Sequence, residues 1–370
     1  MLNFIETSGA LAAGQLTDTN VGLSFHNVQR KRLEKYGKQY ISTDHQPVQN
    51  LLSEGQADTS SSAVKQSRRG FQDTRRLLVI SQWYRYSLDT AARNKIRRVL
   101  LDWASLNIPD GNPINETHFE GFLKAIRLHR DLFNSSENAT LNAWLTKVRN
   151  AAEGFTFPGR ATRYGNWYTH HLKKLLLCYY AQEDTAAFNA LFPTIYAHAL
   201  VNFPYGNAAV IVPVVGVPFN QTVHDIPRAA THPGESIDYI RRDSLHYHVY
   251  DVEPWLEIAI LTGNRYEALM DNAWVFLKNK LFSSTKHYEF AASTDPFDAQ
   301  RWLASRPEYL APNALFIPGH ASRVALAYSH FKRLLNSSYQ PESRMITIAS
   351  RSERLTTDWY YWFRLFLGCH

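Results

Sequence analysis

Cysteine is nearly absent, with two residues in a chain of 370. That excludes a disulfide-stapled scaffold and a zinc module built on thiolate ligands. Cys178 sits in the apolar run Leu175-Leu176-Leu177-Cys178-Tyr179 and reads as a buried thiol, while Cys369 lies far along the chain. Long hydrophobic runs are also missing. No window holds about 18 uncharged apolar residues, so no membrane span is expected. Met1–Gly14 lacks a basic segment followed by a clear apolar run, so no signal peptide is read there. Five Asn-x-Ser/Thr sites, at Asn115, Asn134, Asn138, Asn220 and Asn336, are a low-specificity pointer to secretion, and a secreted or periplasmic location is the expectation. Acidic residues are outnumbered, 33 against 40 basic ones, giving a net charge of +7. The excess favours a polyanionic partner: nucleic acid, anionic membrane or acidic polysaccharide. Strand-like sequence is scarce as well. Only Ala209–Val217 reads as extended, and Pro213 and Gly216 break it into a buried loop or short strand.

What is present is helical. Hydrophobic residues make up 45% and charged residues 20%, enough for a sizeable core. At roughly 150 residues per domain the length allows two to three domains, or one large repeat-built one. The first 76 residues are polar, with a Ser/Gln/Asp-rich stretch at Gln56–Ser62 and basic pairs at Arg68-Arg69 and Arg75-Arg76; they read as an N-terminal arm or lid. After Leu77 the pattern changes. Ile96/Val99/Leu100/Trp103 follow the i, i+3, i+4, i+7 spacing of one helix face. The same template recurs at Phe119/Phe122/Leu123/Ile126, Leu141/Trp144/Leu145/Val148, Leu172/Leu175/Leu176/Tyr179, Phe188/Leu191/Phe192/Ile195, Tyr266/Leu269/Met270/Ala273 and Val324/Ala327/Tyr328/Phe331. Gln182–Thr185 is a short link, and Gly263 reads as a left-handed helix cap followed at once by another helix. Short links imply antiparallel neighbours, hence stacked helical hairpins in an all-α domain over residues 77–370.

Two polar segments interrupt this pattern. The first, Arg163-Tyr164-Gly165-Asn166-Trp167-Tyr168-Thr169-His170-His171, opens a helix. Asn166 suits the N-cap position, its side-chain oxygen meeting free backbone amides. The alternative is an anion site, since exposed amides and the dipole at a helix start attract negative charge. The second segment runs Ile240-Arg241-Arg242-Asp243-Ser244-Leu245-His246-Tyr247-His248-Val249-Tyr250-Asp251. Pro254 follows it and cannot continue a regular helix from Tyr250, so a short or kinked element is expected before the apolar run Trp255–Leu261. The His-x-His pair lacks further ligands at a metal-binding spacing, so no metal is expected. Packed, hydrogen-bonded rings between hairpins would equally account for the segment.

The line Arg241-Arg242-Asp243-Ser244-Leu245-His246-Tyr247-His248-Val249-Tyr250-Asp251-Val252-Glu253-Pro254 resembles the Arg…His-Tyr…Pro signature of alginate lyase-type polysaccharide lyases. Ala91–Asn115, with Trp103 and the stretch Gly111–Thr117, is similar to that family's early helices. Gly165-Asn166-Trp167 is similar in position to its Asn-Asn-His motif, with Trp167 where the His would stand. The resemblance covers residues 85–335 and implies an (α/α) toroid cleaving a polyuronate by β-elimination, without a cofactor. Asn166 and His170 would then neutralise the uronate carboxylate, with His224 in reserve. Arg241 would hold that carboxylate, and Tyr247 would act as base at C5, as acid to the leaving O4, or both. Trp167, Arg242 and His246 would bind neighbouring sugars.

Two other classes stay open. One is a toroid glycoside hydrolase using a carboxylate pair drawn from Asp243, Asp251 and Glu253. The other is a non-catalytic binder of acidic glycan. No helix-turn-helix, zinc-finger or RNA-binding sheet signature supports nucleic acid.

Overall fold

The computed structural model describes residues 23–52, 61–158, 163–206, 229–242, 245–283, 321–336, 338, 339 and 342; the side chains of residues 23–30, 32, 241 and 242 are not described. Ala209–Val217, His224, Asp243 and Cys369 lie outside the described residues, as do the side chains of Arg241 and Arg242. Among the described residues the protein is all-α, with no strand.

The helices are α1 (Leu23–Ser42), α2 (Ser62–Ser87), α3 (Thr90–Leu106), α4 (Glu120–Leu128), α5 (Ser135–Glu153), α6 (Asn166–Gln182), α7 (Thr185–Ala190), α8 (Phe192–Asn202), α9 (Ile237–Arg242), α10 (Leu245–Thr262), α11 (Glu267–Leu281) and α12 (Ser322–Leu335). A 3₁₀ turn at Thr117–Phe119 leads into α4, and another at Gly263–Tyr266 leads into α11.

Local chemistry sets the helix ends. Asp89 caps α3 by accepting from the amides of Ala91 and Ala92, and Asn134 with Glu137 forms a capping box at α5. The link after α6 is two residues long: Glu183 adopts φ 60° and Asp184 caps α7. Gly263, at φ 75°, ends α10 in the left-handed region, as its sequence context predicts.

The helices form two rows. In one, α2 packs on α4, α4 on α6, α6 on α10 and α10 on α12. In the other, α1 and α3 pack on α2 and on each other, α5 packs on α3 and α6, and α11 packs on α10 and α12. Two apolar clusters form the core, one around α1–α5 and the other around α6 and the later helices. Helix α6 feeds both, Leu172 and Leu176 to one and Leu177 and Cys178 to the other. A helix apolar on all sides belongs in the interior. Burial pushes the Cys178 thiol up to about 12, so it stays protonated at neutral pH.

Three readings change. Helix α2 runs without a break through residues 76 and 77, where an arm was expected to end. Its Phe71, Leu77, Leu78 and Ile80 are core residues, and their burial outweighs the local polarity of the basic pairs. The Phe188–Ile195 stripe spans two helices rather than one, with a break at Leu191 and a proline, Pro193, in the first turn of α8. Helix α10 runs unbroken through Pro254. The bond lost there costs about 3 kcal/mol. Burial of Val249, Val252, Trp255, Leu256 and Ala259 on both sides of it supplies more.

Candidate active site

The two polar segments meet where the start of α6 packs on α9 and α10. Asn166 is the first residue of α6 rather than its cap; Gly165 holds that place and has no side chain to offer. The capping carboxylate comes from α9. Asp238 accepts the Asn166 amide N–H at 2.6 Å and the Asn166 Nδ2–H at 2.6 Å. A Cβ on Gly165 would stand 3.0 Å from Asp238 Oδ2, so glycine there leaves the carboxylate room. Asn166 is thereby aimed by its neighbour, with the second Nδ2 proton left over.

One turn on, Thr169 and His170 face different partners. Thr169 Oγ1 lies 2.7 Å from Asp251 Oδ1 and 2.8 Å from His198 Nε2. A hydroxyl has one proton, and the carboxylate takes it, so His198 donates through Nε2. His198 also stacks on Trp255 at 5.4 Å. Asp251 is fully buried in this arrangement, and Glu253 is paired with Arg323 at 3.0 Å. Asp243, the third acid considered for a hydrolase pair, lies outside the described residues.

His170 is 3% exposed. Its Nδ1 lies 2.8 Å from Thr117 Oγ1, and its Nε2 has no hydrogen-bond partner among the described residues. Burial, with the charge of Lys173 beside it, holds the imidazole well below its ordinary 6.5, so the ring is neutral at pH 7. Tyr250 packs against it with ring centroids 4.5 Å apart. Tyr250 in turn stacks near-parallel with His246 at 6.3 Å, and His246 meets Tyr247 edge-on at 5.3 Å. The rings run in the order His170, Tyr250, His246, Tyr247. Tyr250 and His246 are half-buried, while Tyr247 is buried.

The structure therefore brings His170 together with the Tyr247 segment, but through Tyr250. His246 and His248 do not form a metal pair. Two residues apart on a helix, they point in different directions. His248 is buried with Nδ1 2.9 Å from Ser236 Oγ. Among the described residues no group of three or more potential ligands converges. Trp167 is 6% exposed, which leaves little ring face for a sugar to stack on.

Charge gathers behind these rings. His118 packs at a tilt against Phe71, ring centroids 4.5 Å apart, and burial followed by the charges of Arg75, Arg323 and Lys173 holds it well below 6.5. Three ammonium–carboxylate pairs lie in the interior: Lys173 with Glu120 at 2.8 Å, Lys174 with Glu116 at 2.8 Å, and Lys124 with Glu257 at 2.5 Å. They tie α4 to α6, the loop before α4 to α6, and α4 to α10. Burial pushes the carboxyls of Glu116 and Glu257 up, while their lysines pull them down.

Sequence reasoning passed over Thr117, His118, Lys173, Asp238 and Arg323, and quoted Tyr250 without choosing it. One signal was available: Lys173-Lys174 stands inside the run His171-Leu172…Leu175-Leu176-Leu177, where charge has to be paired or functional.

A scan against known protein families finds no match, and a search among curated proteins finds none either.

Proposed function

We propose that the protein is a polysaccharide lyase acting on an acidic polyuronate, and that the two helix rows belong to an (α/α) toroid with this site in its cleft. The observation that carries the reading is the contact of Tyr250 with a buried, neutral His170 whose Nε2 has no hydrogen-bond partner among the described residues. Tyr250 sits in the stretch resembling the lyase signature, and His170 lies one turn after the oriented Asn166 on α6.

Elimination from a uronate needs its carboxylate neutralised, because the negative charge resists loss of the C5 proton. Asn166 Nδ2–H and His170 Nε2–H are donors suited to that oxygen pair, and Arg241 lies one turn beyond Asp238, the residue that aims Asn166. The phenolate of Tyr250 then takes the C5 proton. The electron pair of the C5–H bond forms the C4–C5 double bond, the C4–O4 bond breaks, and the phenol returns its proton to O4. A free phenol titrates near 10, so the base role draws on positive surroundings. The charges of Arg323 and Lys173, each paired with a carboxylate, reach His118. Tyr250 replaces Tyr247 as the favoured phenol, since its ring packs directly on His170.

The test is a panel of alginate blocks, glucuronan, chondroitin and hyaluronan, followed by ultraviolet absorbance of the conjugated alkene. Growth of absorbance on at least one polymer is the expected result. New reducing ends without absorbance would make the protein a hydrolase, and binding without either product would make it a glycan-binding module.

A further inference from the structure

We propose that Thr117, backed by Lys173, acts as a positioning residue that holds His170 in its Nε2–H tautomer, so that His170 serves as a hydrogen-bond donor and never as the base. The inference deepens the lyase reading and rests on it for the role of the donor, but not for the tautomer itself.

The proton count around Thr117 decides the matter. Lys173 Nζ is a donor only, and it reaches Glu120 Oε2 at 2.8 Å, the Thr117 carbonyl at 3.2 Å and Thr117 Oγ1 at 3.4 Å. With an ammonium proton directed at the hydroxyl oxygen, the hydroxyl's own proton turns away from the lysine. On its other side, 2.8 Å away, is His170 Nδ1. Nδ1 is the one acceptor within hydrogen-bond distance of that proton among the described residues, so Thr117 donates and Nδ1 accepts. A neutral imidazole that accepts at Nδ1 carries its proton at Nε2.

The two parts come from two elements: Thr117 before α4 and Lys173 on α6.

The consequence is a division of labour. A ring protonated at Nε2 has no lone pair on that side, so it donates to a substrate oxygen and leaves proton removal to the phenol.

The experiment is nitrogen-15 NMR of the imidazoles in the full chain at pH 7. The His170 signals are expected to show Nδ1 as the unprotonated, pyridine-type nitrogen and Nε2 as the protonated one. Thr117→Ser keeps that pattern, and Thr117→Val shifts it toward a mixture of tautomers. On a polymer that gives product, Thr117→Val lowers kcat about tenfold or more with KM within about twofold, and Thr117→Ser restores it. A wild-type spectrum with the proton on Nδ1 overturns the inference, whether or not the variants fold. A protein with the Nε2–H tautomer that yields no alkene on any polymer would overturn the lyase reading and leave the tautomer lock standing.

Discussion

Two phenols three residues apart on one helix compete for a single role, and their surroundings separate them. Tyr250 touches the neutral imidazole of His170 at 4.5 Å and is half-buried, so one face is open to a substrate. Tyr247 is buried, and its described ring contact is with His246. Tyr250→Phe is therefore expected to reduce elimination by roughly 10²–10⁴-fold, the span of positioned proton transfer, with little change in melting temperature. Tyr247→Phe is expected to keep most of the activity. Initial rates of alkene formation for the two variants check this, and the reverse ranking would return the role to Tyr247. The motif made the segment legible but not the choice within it. Helical spacing puts residues 246, 247 and 250 on adjoining faces, and only packing against α6 decides which ring meets His170. Asn166 was legible as a helix-start residue; that its amide and side chain are both held by Asp238, 72 positions later, has no local sequence signal.

At the scale of elements, the stripes at 96–103, 119–126, 141–148, 172–179 and 324–331 each became a buried helix face, because a 3.6-residue period is a direct record of burial. Pro254 misleads for a physical reason. Its local cost is fixed, whereas the burial that α10 gains on α6 and α12 depends on contacts far away in sequence. The short helix α9 shows the same dependence. It carries Ser236 at its start, accepting the Tyr239 amide, and it lends Asp238 to the start of α6. One carboxylate thus serves as the cap that Gly165 does not provide. Asp238→Ala removes at least two buried hydrogen bonds and takes the described acceptor from two donors of Asn166. A loss of about 1–3 kcal/mol is expected, together with a fall in activity as Asn166 loses its aim. Urea unfolding measures the first and alkene formation the second. Unchanged stability would mean that the start of α6 is held by its packing alone.

The molecule as a whole is built around charge and imidazole kept out of water, and its response to acid follows from that. His129, His171, His198 and His248 are each held down to about 3 by burial, and His118 and His170 are held well below 6.5 by burial together with nearby cations. In the unfolded chain these rings take up protons near 6.5. Below that pH the unfolded state binds protons that the folded state refuses, so stability present above 6.5 is lost as the pH falls. Each strongly depressed histidine costs about 1.4 kcal/mol by pH 5.5, and four together on the order of 5 kcal/mol. The buried carboxyls act in the opposite direction. Asp73, Glu116 and Glu257 are pushed up by burial, so each favours the folded state as the pH drops toward its raised value. Three such groups stand against six histidines, and the lysines beside Glu116 and Glu257 limit their shift. The melting temperature is therefore expected to fall steadily from pH 7 to pH 5, with net proton uptake on unfolding. Calorimetry in buffers of different ionisation enthalpy measures both quantities. A melting temperature that is flat or rising over this interval would mean that the interior histidines are charged, and the neutral donor assigned to His170 would fall with them.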